Sequence, residues 1–391
     1  MDFELTDEQK QFRQEVRSFL QAEMEAGTIN TRSNNFFEHN KSFSKKMSEK
    51  GWVGMTWPKE FGGQGRSYLD RIILVEECLR VQAPLGAHFL GDRQVGPAII
   101  HAGTKEQQDK YLPLILNADI SFCLLFSEPE AGSDLVSART LAERDGDDYI
   151  LNGQKVWNSG AHLSDYGWCL AKTDPKAAKK HLGLSEFIID MKSPGVDVRP
   201  TLNLLGEHHF NEVFLDNVRV PKDYLVGEVN RGFVQLMQQM DYERAGLERL
   251  MQNFPLYGKL IQFVKDNRRN GIPLSKDPMV RDQIAQLEID FNAGRLLCYQ
   301  VAWLLDQGRI PSREAALCKA YCTQFKQRLA ETATRIMGPY GVLMPGSPYA
   351  PFDGEAPENY LYSRSYTLQG GTVEVLKGIV ARRGLQLPTL R

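Results

Sequence analysis

Four short segments hold residue types that could bind a ligand or move a proton. Phe126-Ser-Glu-Pro-Glu-Ala-Gly-Ser-Asp134 directly follows an apolar run. Pro129 and Gly132 force a turn there, and free N–H groups with flanking hydroxyls suit an anion or a carbonyl. Asn152-Gly-Gln-Lys-Val-Trp-Asn-Ser-Gly160 follows an Asn-Gly turn signal, and its alternation puts Trp157 and Ser159 on one face of a strand. An aromatic ring beside a donor suits a flat heteroaromatic ligand; a tryptophan packed into the core is the plainer reading. In Asp241-Tyr-Glu-Arg244, Glu243 falls three residues after Met240 and four before Leu247, so at helical spacing it borders an apolar stripe. Desolvation there would make a carboxylate a stronger base, whereas a solvated helix face would leave it inert. In Leu368-Gln-Gly-Gly-Thr-Val-Glu374, Gly370 and Gly371 allow close backbone approach to a ligand, and Thr372 can cap the next helix.

Other chemistries lack their residues. There is no GxGxxG after a strand, no GxxxxGK[ST], no HExxH and no GxSxG. The 391 residues carry 47 Lys and Arg against 49 Asp and Glu, a net charge of −2, so nothing marks a nucleic-acid partner. No apolar run is long enough to span a membrane. The first residues read as an acidic helix rather than a targeting peptide, the last carry no lipidation or peroxisomal signal, and a cytoplasmic location is expected. Cys318 and Cys322 share a helix face and could suit a metal, but no histidine is near them in sequence. Without a CxxC, the six cysteines are expected to be buried thiols and no metal site is expected. His208-His209 are neighbours in sequence and suit structural roles. His88, Arg93 and Arg80 are expected at the surface, although a polar substrate end could meet them.

The elements that must position these segments follow from periodicity. Residues 1–120 read mainly as helices. Thr6 to Gln9 form a capping box, and Leu5, Phe12, Val16, Phe19 and Leu20 form a stripe. Gly51 to Gly65 breaks the pattern, and an amphipathic segment covers 68–81. Residues 121–228 read as an antiparallel β domain: the strand ISFCLLF, two hairpins turning at Asp145-Gly146-Asp147 and at Asn152-Gly153, then strands over 165–171 and 184–191. From Phe233 the helical period returns, continuing through Leu236, Met240, Leu247, Leu250 and Phe254. Long helices are expected over 280–307 and 313–337. A loop is expected over 338–357, where four prolines besides Pro339 forbid a helix, and a last helix over 372–384. The expected division is 1–120 helical, 121–228 β and 229–391 a helical bundle.

In this order the motifs SEPEAGSD, NGQKVWNSGA, FNEVFLDNVRVPKDYLVGEVNRGF and QGGTVEV resemble those of the acyl-CoA dehydrogenase family, over nearly the whole chain. The resemblance implies an α+β fold with an N-terminal helical domain, a central antiparallel β-barrel domain and a C-terminal four-helix bundle. It implies FAD, an acyl-CoA substrate and α,β-dehydrogenation. A carboxylate removes the Cα proton, hydride passes from Cβ to the flavin, and electrons leave to an electron-transfer flavoprotein. It places the Phe126 and Ser127 main chain and Trp157 on the flavin, Ser159 at N5 and Thr372 by the ribityl-phosphate arm. Ser133 and Arg244 are placed on the CoA. Most members carry the base as Glu in a Glu-Gly-Thr segment, where this chain has Gly370. A minority carry it on the bundle helix just before an Arg, where this chain has Glu243-Arg244. The resemblance therefore assigns the base to Glu243 and leaves the Gly370 N–H to polarise the thioester carbonyl.

Three departures bear on assembly. The family's Arg-x-x-Phe-Gly reads Arg268-Arg-Asn-Gly271, its later Gln falls near Pro278, and its Gln-x-x-Gly-Gly reads Arg335-Ile-Met-Gly-Pro339. In the family that the chain resembles, these sites hold the adenosine end of FAD across a subunit interface. Either Arg268 and Arg335 do so here, or a related second subunit does. The Glu-Arg pair, Gly-Gly-Thr and RRGLQLP look most like the branch acting on steroid side chains and other bulky acyl-CoAs, whose members are often heterotetramers. A homodimer or homotetramer, a non-catalytic or FAD-sharing subunit, and a flavin oxidase or non-redox variant on the same scaffold are the alternatives.

Overall fold

The computed structural model describes residues 4–30, 37–243 and 247–388, with side chains omitted for 238–243 and 247. In chain order the helices are α1 (Asp7–Glu25), α2 (Lys41–Glu49), α3 (Tyr68–Arg80), α4 (Gly86–Leu90), α5 (Gly96–Ala102) and α6 (Lys105–Leu116). Strands β1 (Phe122–Leu125), β2 (Leu141–Asp145), β3 (Asp148–Lys155), β4 (Tyr166–Lys172), β5 (Leu184–Asp190), β6 (Val196–Leu202), β7 (His208–Val220) and β8 (Leu225–Val226) follow. Helices α7 (Gly232–Glu243), α8 (Leu247–Met251), α9 (Phe254–Asp266), α10 (Pro278–Asp306), α11 (Ser312–Met337), α12 (Glu355–Tyr366) and α13 (Val373–Ile379) complete the chain. These elements form two compact units, one of residues 37–66 and 84–243, the other of 1–36, 67–83 and 244–391.

In the first unit, eight strands among the described residues form one sheet in the order β6-β7-β3-β2-β4-β5-β8, with β1 also on β4. Pairing is antiparallel except for β1 with β4 and a single β2–β4 contact, which are parallel. Strand β4 is apolar and buried from Gly167 to Ala171 because both its faces are covered there. Cys169 and Ala171 join a core with Leu125, Leu151, Phe187 and Val213, while Trp168 meets Ile99, Tyr111 and Ile115 of α5 and α6. Leu236 of α7 packs on Leu170 and Leu184. The β2–β3 hairpin turns at Gly146, as its sequence indicates. Asn152-Gly153 does not turn the chain. It sits inside β3 at a register shift against β7, where Asn152 Oδ1 accepts from the Asn217 N–H at 2.8 Å. A side chain at Gly153 would meet Thr140 Oγ1 at 2.4 Å, so this glycine serves close strand approach at a bulge. His88 and Arg93 are buried rather than at the surface. His88 Nδ1 meets Ser44 Oγ at 2.7 Å, and the Arg93 guanidinium lies over the Phe89 ring.

In the second unit the Thr6 capping box is present, and Phe12, Val16 and Leu20 bury one face of α1. Buried Glu76 on α3 receives Arg13 from α1 at 2.9 Å, and Arg295 and Tyr299 from α10 at 2.6 and 2.8 Å. Burial pushes the Glu76 carboxyl up, but these partners outweigh it and hold it below its usual range. Helices α10 and α11 cover most of the two long segments expected. All six cysteines are buried free thiols, and the Sγ atoms of Cys298, Cys318 and Cys322 lie 3.4–3.9 Å apart in the α10–α11 core. The proline-rich segment does not stay a loop to its end. Helix α12 starts at Glu355 and takes Pro357 in its first turn, where the missing N–H has no intrahelical role.

Candidate functional site

The first unit brings two of the four segments together. Buried Lys155, at the end of β3, donates from Nζ to Glu128 Oε1 at 2.8 Å, to the Leu170 carbonyl at 2.7 Å and to the Phe126 carbonyl at 3.2 Å. Glu128 accepts in turn from the main-chain N–H groups of Arg139 and Thr140. Burial pushes the Glu128 carboxyl up, but Lys155 and these donors outweigh it and lower it overall. The Val156 N–H donates to the Ser127 carbonyl at 2.9 Å. Phe126-Ser127 and the segment after β3 are therefore locked side by side. Neither Lys155 nor Glu128 stands out in the sequence, although both lie inside the segments that do.

Trp157 does not share a strand face with Ser159. The strand stops at Lys155, and Trp157 adopts φ +61°, a left-handed conformation that costs an aromatic residue energy. Its indole is 63% exposed and meets only the edge of Phe210 among ring contacts of the described residues. A strained, solvent-facing tryptophan is not core packing; it offers a flat face to a planar ligand. Buried Asn158 fixes the turn by donating to the Leu124 carbonyl at 2.7 Å. Asn211 Nδ2 donates to the Asn158 carbonyl at 2.9 Å, and Asn211 is flanked by His208 and His162, whose rings stack at 3.8 Å. The histidines thus act structurally, supporting the turn that carries half-buried Ser159. Ser133 is exposed in the neighbouring turn. Glu243 is the last residue of α7, but its side chain and all of Arg244 lie outside the described residues.

The second unit holds the remaining candidates. Gly370 and Gly371 have φ +65° and +89°, so both use glycine's conformational freedom. Buried Lys319 holds the turn, donating to the Gly371 carbonyl at 2.5 Å and the Tyr366 carbonyl at 3.2 Å. Thr372 caps α13, its Oγ1 accepting from the Val375 N–H at 3.2 Å. A Cβ at Gly370 would lie 2.6 Å from Arg249 Nη2, a residue without any sequence signal. Arg268 and Arg335 are both surface residues: Arg268 donates to the Gly271 carbonyl within a short antiparallel hairpin of Arg268–Arg269 and Ile272–Pro273, and Arg335 pairs with Glu331 one turn earlier. Arg269, between them, donates to the Ile336 carbonyl at 2.7 Å and ties that hairpin to the end of α11.

Three family models match along the chain: the acyl-CoA dehydrogenase N-terminal domain over 6–119, middle domain over 123–218 and C-terminal domain over 230–385. Acyl-CoA dehydrogenase FadE29 of Mycobacterium tuberculosis (strain ATCC 25618 / H37Rv) is 34% identical over 400 residues, covering 99% of both chains. The solved structure entitled Tcur3481-Tcur3483 steroid ACAD matches with a TM-score of 0.87 at 31% identity, over 100% of both chains. The crystal structure of the ChsE4-ChsE5 complex from Mycobacterium tuberculosis matches with a TM-score of 0.86 at 29% identity, again over 100% of both chains.

Proposed function

The chain belongs to the acyl-CoA dehydrogenase family, oxidoreductases that act on the CH–CH bond of acyl-CoA thioesters with a flavin, and from that premise we propose that Glu243 is its catalytic base. The observation that carries this assignment is at position 370. A glycine there, at positive φ and with a guanidinium filling the space of its missing side chain, supplies no carboxylate. Glu243, at the C-terminal end of α7 and directly before an arginine, is the carboxylate left to take the Cα proton.

The residues present fit FAD. The exposed Trp157 indole offers a flat face, the Phe126-Ser127 main chain is clamped beside it by Lys155 and Val156, and the Ser159 hydroxyl is a donor on the same turn. Bound FAD supplies the two-electron acceptor for the Cβ hydride. The protein's part is to hold the ring plane, remove the proton and polarise the thioester carbonyl through the Gly370 N–H. Ser133 and Arg244 contact the CoA, Thr372 the ribityl-phosphate arm, and Arg268 and Arg335 the adenosine end. The same reading divides the chain at 1–120, 121–228 and 229–391, which the spans of the three family models support. No helix among the described residues is long and apolar enough to cross a membrane, and a cytoplasmic enzyme passing electrons to an electron-transfer flavoprotein is the reading we adopt.

The substrate class we infer is a bulky or steroid-derived acyl-CoA, supported by the likeness to the steroid ACAD structure. The test is anaerobic flavin bleaching with straight, branched, dicarboxylic and steroid-type acyl-CoAs, on wild type and Glu243→Gln. Wild type is expected to bleach with its substrate. The variant is expected to keep its flavin and lose bleaching by several orders of magnitude. Near-full activity in the variant would remove Glu243 from its role.

A further inference from the structure

The turn at Gly370 has a guanidinium beside it that the reaction as proposed does not use. Arg249, on α8, sends Nη2 to within 2.6 Å of where a Cβ at Gly370 would stand, and its Cζ lies 5.7 Å from the centre of the Tyr366 ring. Lys326 lies fully buried under the same ring, 4.1 Å from its centre, with Gln252 Oε1 at 3.3 Å. Lys319 grips the Tyr366 and Gly371 carbonyls. Burial and, next, the charge of Arg249 push the Lys326 ammonium well below its usual pKa, so Arg249 is the lasting charge beside the turn. Neighbouring Glu248 is buried, and its field reaches the thiols of Cys318 and Cys322. Among the described residues no carboxylate ion-pairs with the Arg249 guanidinium and no acceptor takes a hydrogen bond from it.

A guanidinium stays charged at any working pH and presents five donors in a fixed fork. Half-buried beside an aromatic ring and without an acid among the described side chains, it is a receptor for an oxyanion. The site where it stands is the one a catalytic glutamate would occupy, so a group held there lies beside the reacting end of the acyl chain rather than beside the CoA phosphates. We propose that Arg249 is a specificity residue that binds a carboxylate carried by the acyl group, so that the enzyme selects acyl-CoAs with a second, free carboxylate. The proposal rests on the dehydrogenase reading of the Gly370 turn and goes beyond it by naming the group the pocket selects.

The experiment compares matched pairs on the flavin-loaded protein: succinyl-CoA against butyryl-CoA, glutaryl-CoA against valeryl-CoA, adipyl-CoA against hexanoyl-CoA. Bleaching gives kcat/KM. Calorimetry with the 3-thia analogues of the glutaryl and adipyl pairs, which have no Cβ hydride to lose, gives binding alone. Wild type should favour one or more carboxylated members by about 10- to 100-fold in both measurements. Arg249→Gln should erase that preference by weakening the carboxylated member while leaving the neutral one within about threefold, and Arg249→Lys should restore part of it. Melting curves of both variants report whether the fold is kept. A neutral member that bleaches as well as its carboxylated partner in every pair would overturn the proposal and leave the dehydrogenase reading standing. So would an equal loss on both members in Arg249→Gln. Failure of every pair to bleach or bind in a protein that a steroid-type acyl-CoA does bleach would likewise overturn the proposal alone; only a flavin-loaded protein that no acyl-CoA bleaches would overturn the dehydrogenase reading as well.

Discussion

At the scale of single residues, the flavin-side turn hangs on two side chains, Lys155 and Glu128, that do not touch substrate. Lys155 is fully buried and satisfies three acceptors, one of them the Phe126 carbonyl of the flavin-side turn. Removing one partner of a buried pair leaves an uncompensated charge and costs about 3–5 kcal/mol. Lys155→Met is therefore expected to lower stability by that amount in urea unfolding and to release flavin more readily on dilution. Glu128→Gln/Lys155→Met together should cost less than the two single losses added, because no lone charge remains; additive losses would mean that the pair is not a unit. These two residues lie inside the segments that the sequence marks, yet their importance is invisible there. Lysine and glutamate read as surface residues until the partner 27 residues away is known. Trp157 is the converse case. Its type and neighbourhood mark it in the sequence, but strand alternation gives the wrong geometry, because the left-handed φ at 157 is a cost only tertiary contacts can sustain. Arg249 carries no motif, and its approach to Gly370 spans more than a hundred residues of chain.

At the scale of elements, local signals locate helices and strands well and their junctions poorly. The capping box, the long stripes of α10 and α11 and the Gly146 hairpin follow from period and turn chemistry. Asn152-Gly153 carries the same dipeptide signal as a hairpin, but strand β7 pairs across it and turns the signal into a bulge. Helix α12 hides behind prolines because Pro357 falls in its first turn. The loop supporting Trp157 also has a property only the assembled elements reveal. His209 has its pKa lowered to about 4 from 6.5, first by burial and then by the charges of His162 and His208. His162 is lowered as well, again first by burial. A base with a depressed folded pKa is neutral in the native state while the unfolded chain takes up a proton, so acid favours unfolding. Stability should be complete above pH 6.5 and fall between there and about pH 4. The half-buried ring limits the loss to about 1–2 kcal/mol. Melting temperature against pH should show this slope, and His209→Gln should flatten it; an unchanged slope in the variant would move the effect elsewhere.

At the scale of the whole molecule, the helical unit exposes apolar side chains that a monomer has no use for. Ile289 and Leu296 stand seven residues apart on one face of α10 and are 62% and 43% exposed, and Leu317 on α11 is 44% exposed. Seven residues is two helical turns, so Ile289 and Leu296 form one stripe. Apolar stripes left open on long helices are characteristic of subunit contacts. The departures at Arg268 and Arg335 belong to the same question. Among the described residues Arg335 is held only by an exposed pair with Glu331, and such pairs contribute little, so an incoming phosphate or a partner's carboxylate can displace Glu331 at small cost. Assembly and cofactor retention should therefore be linked. Light scattering of the wild-type protein, alone or co-expressed with a related subunit, should give a mass at least twice 44.3 kDa. Ile289→Asp/Leu296→Asp should shift it toward a single chain, because two carboxylates in a buried seam are left without partners. If the adenosine end of FAD is held across that contact, the dissociated variant should also lose its visible flavin absorbance. A dissociated chain that keeps a full complement of flavin would place the whole cofactor site within one subunit, and an undiminished mass would place the contact on another face.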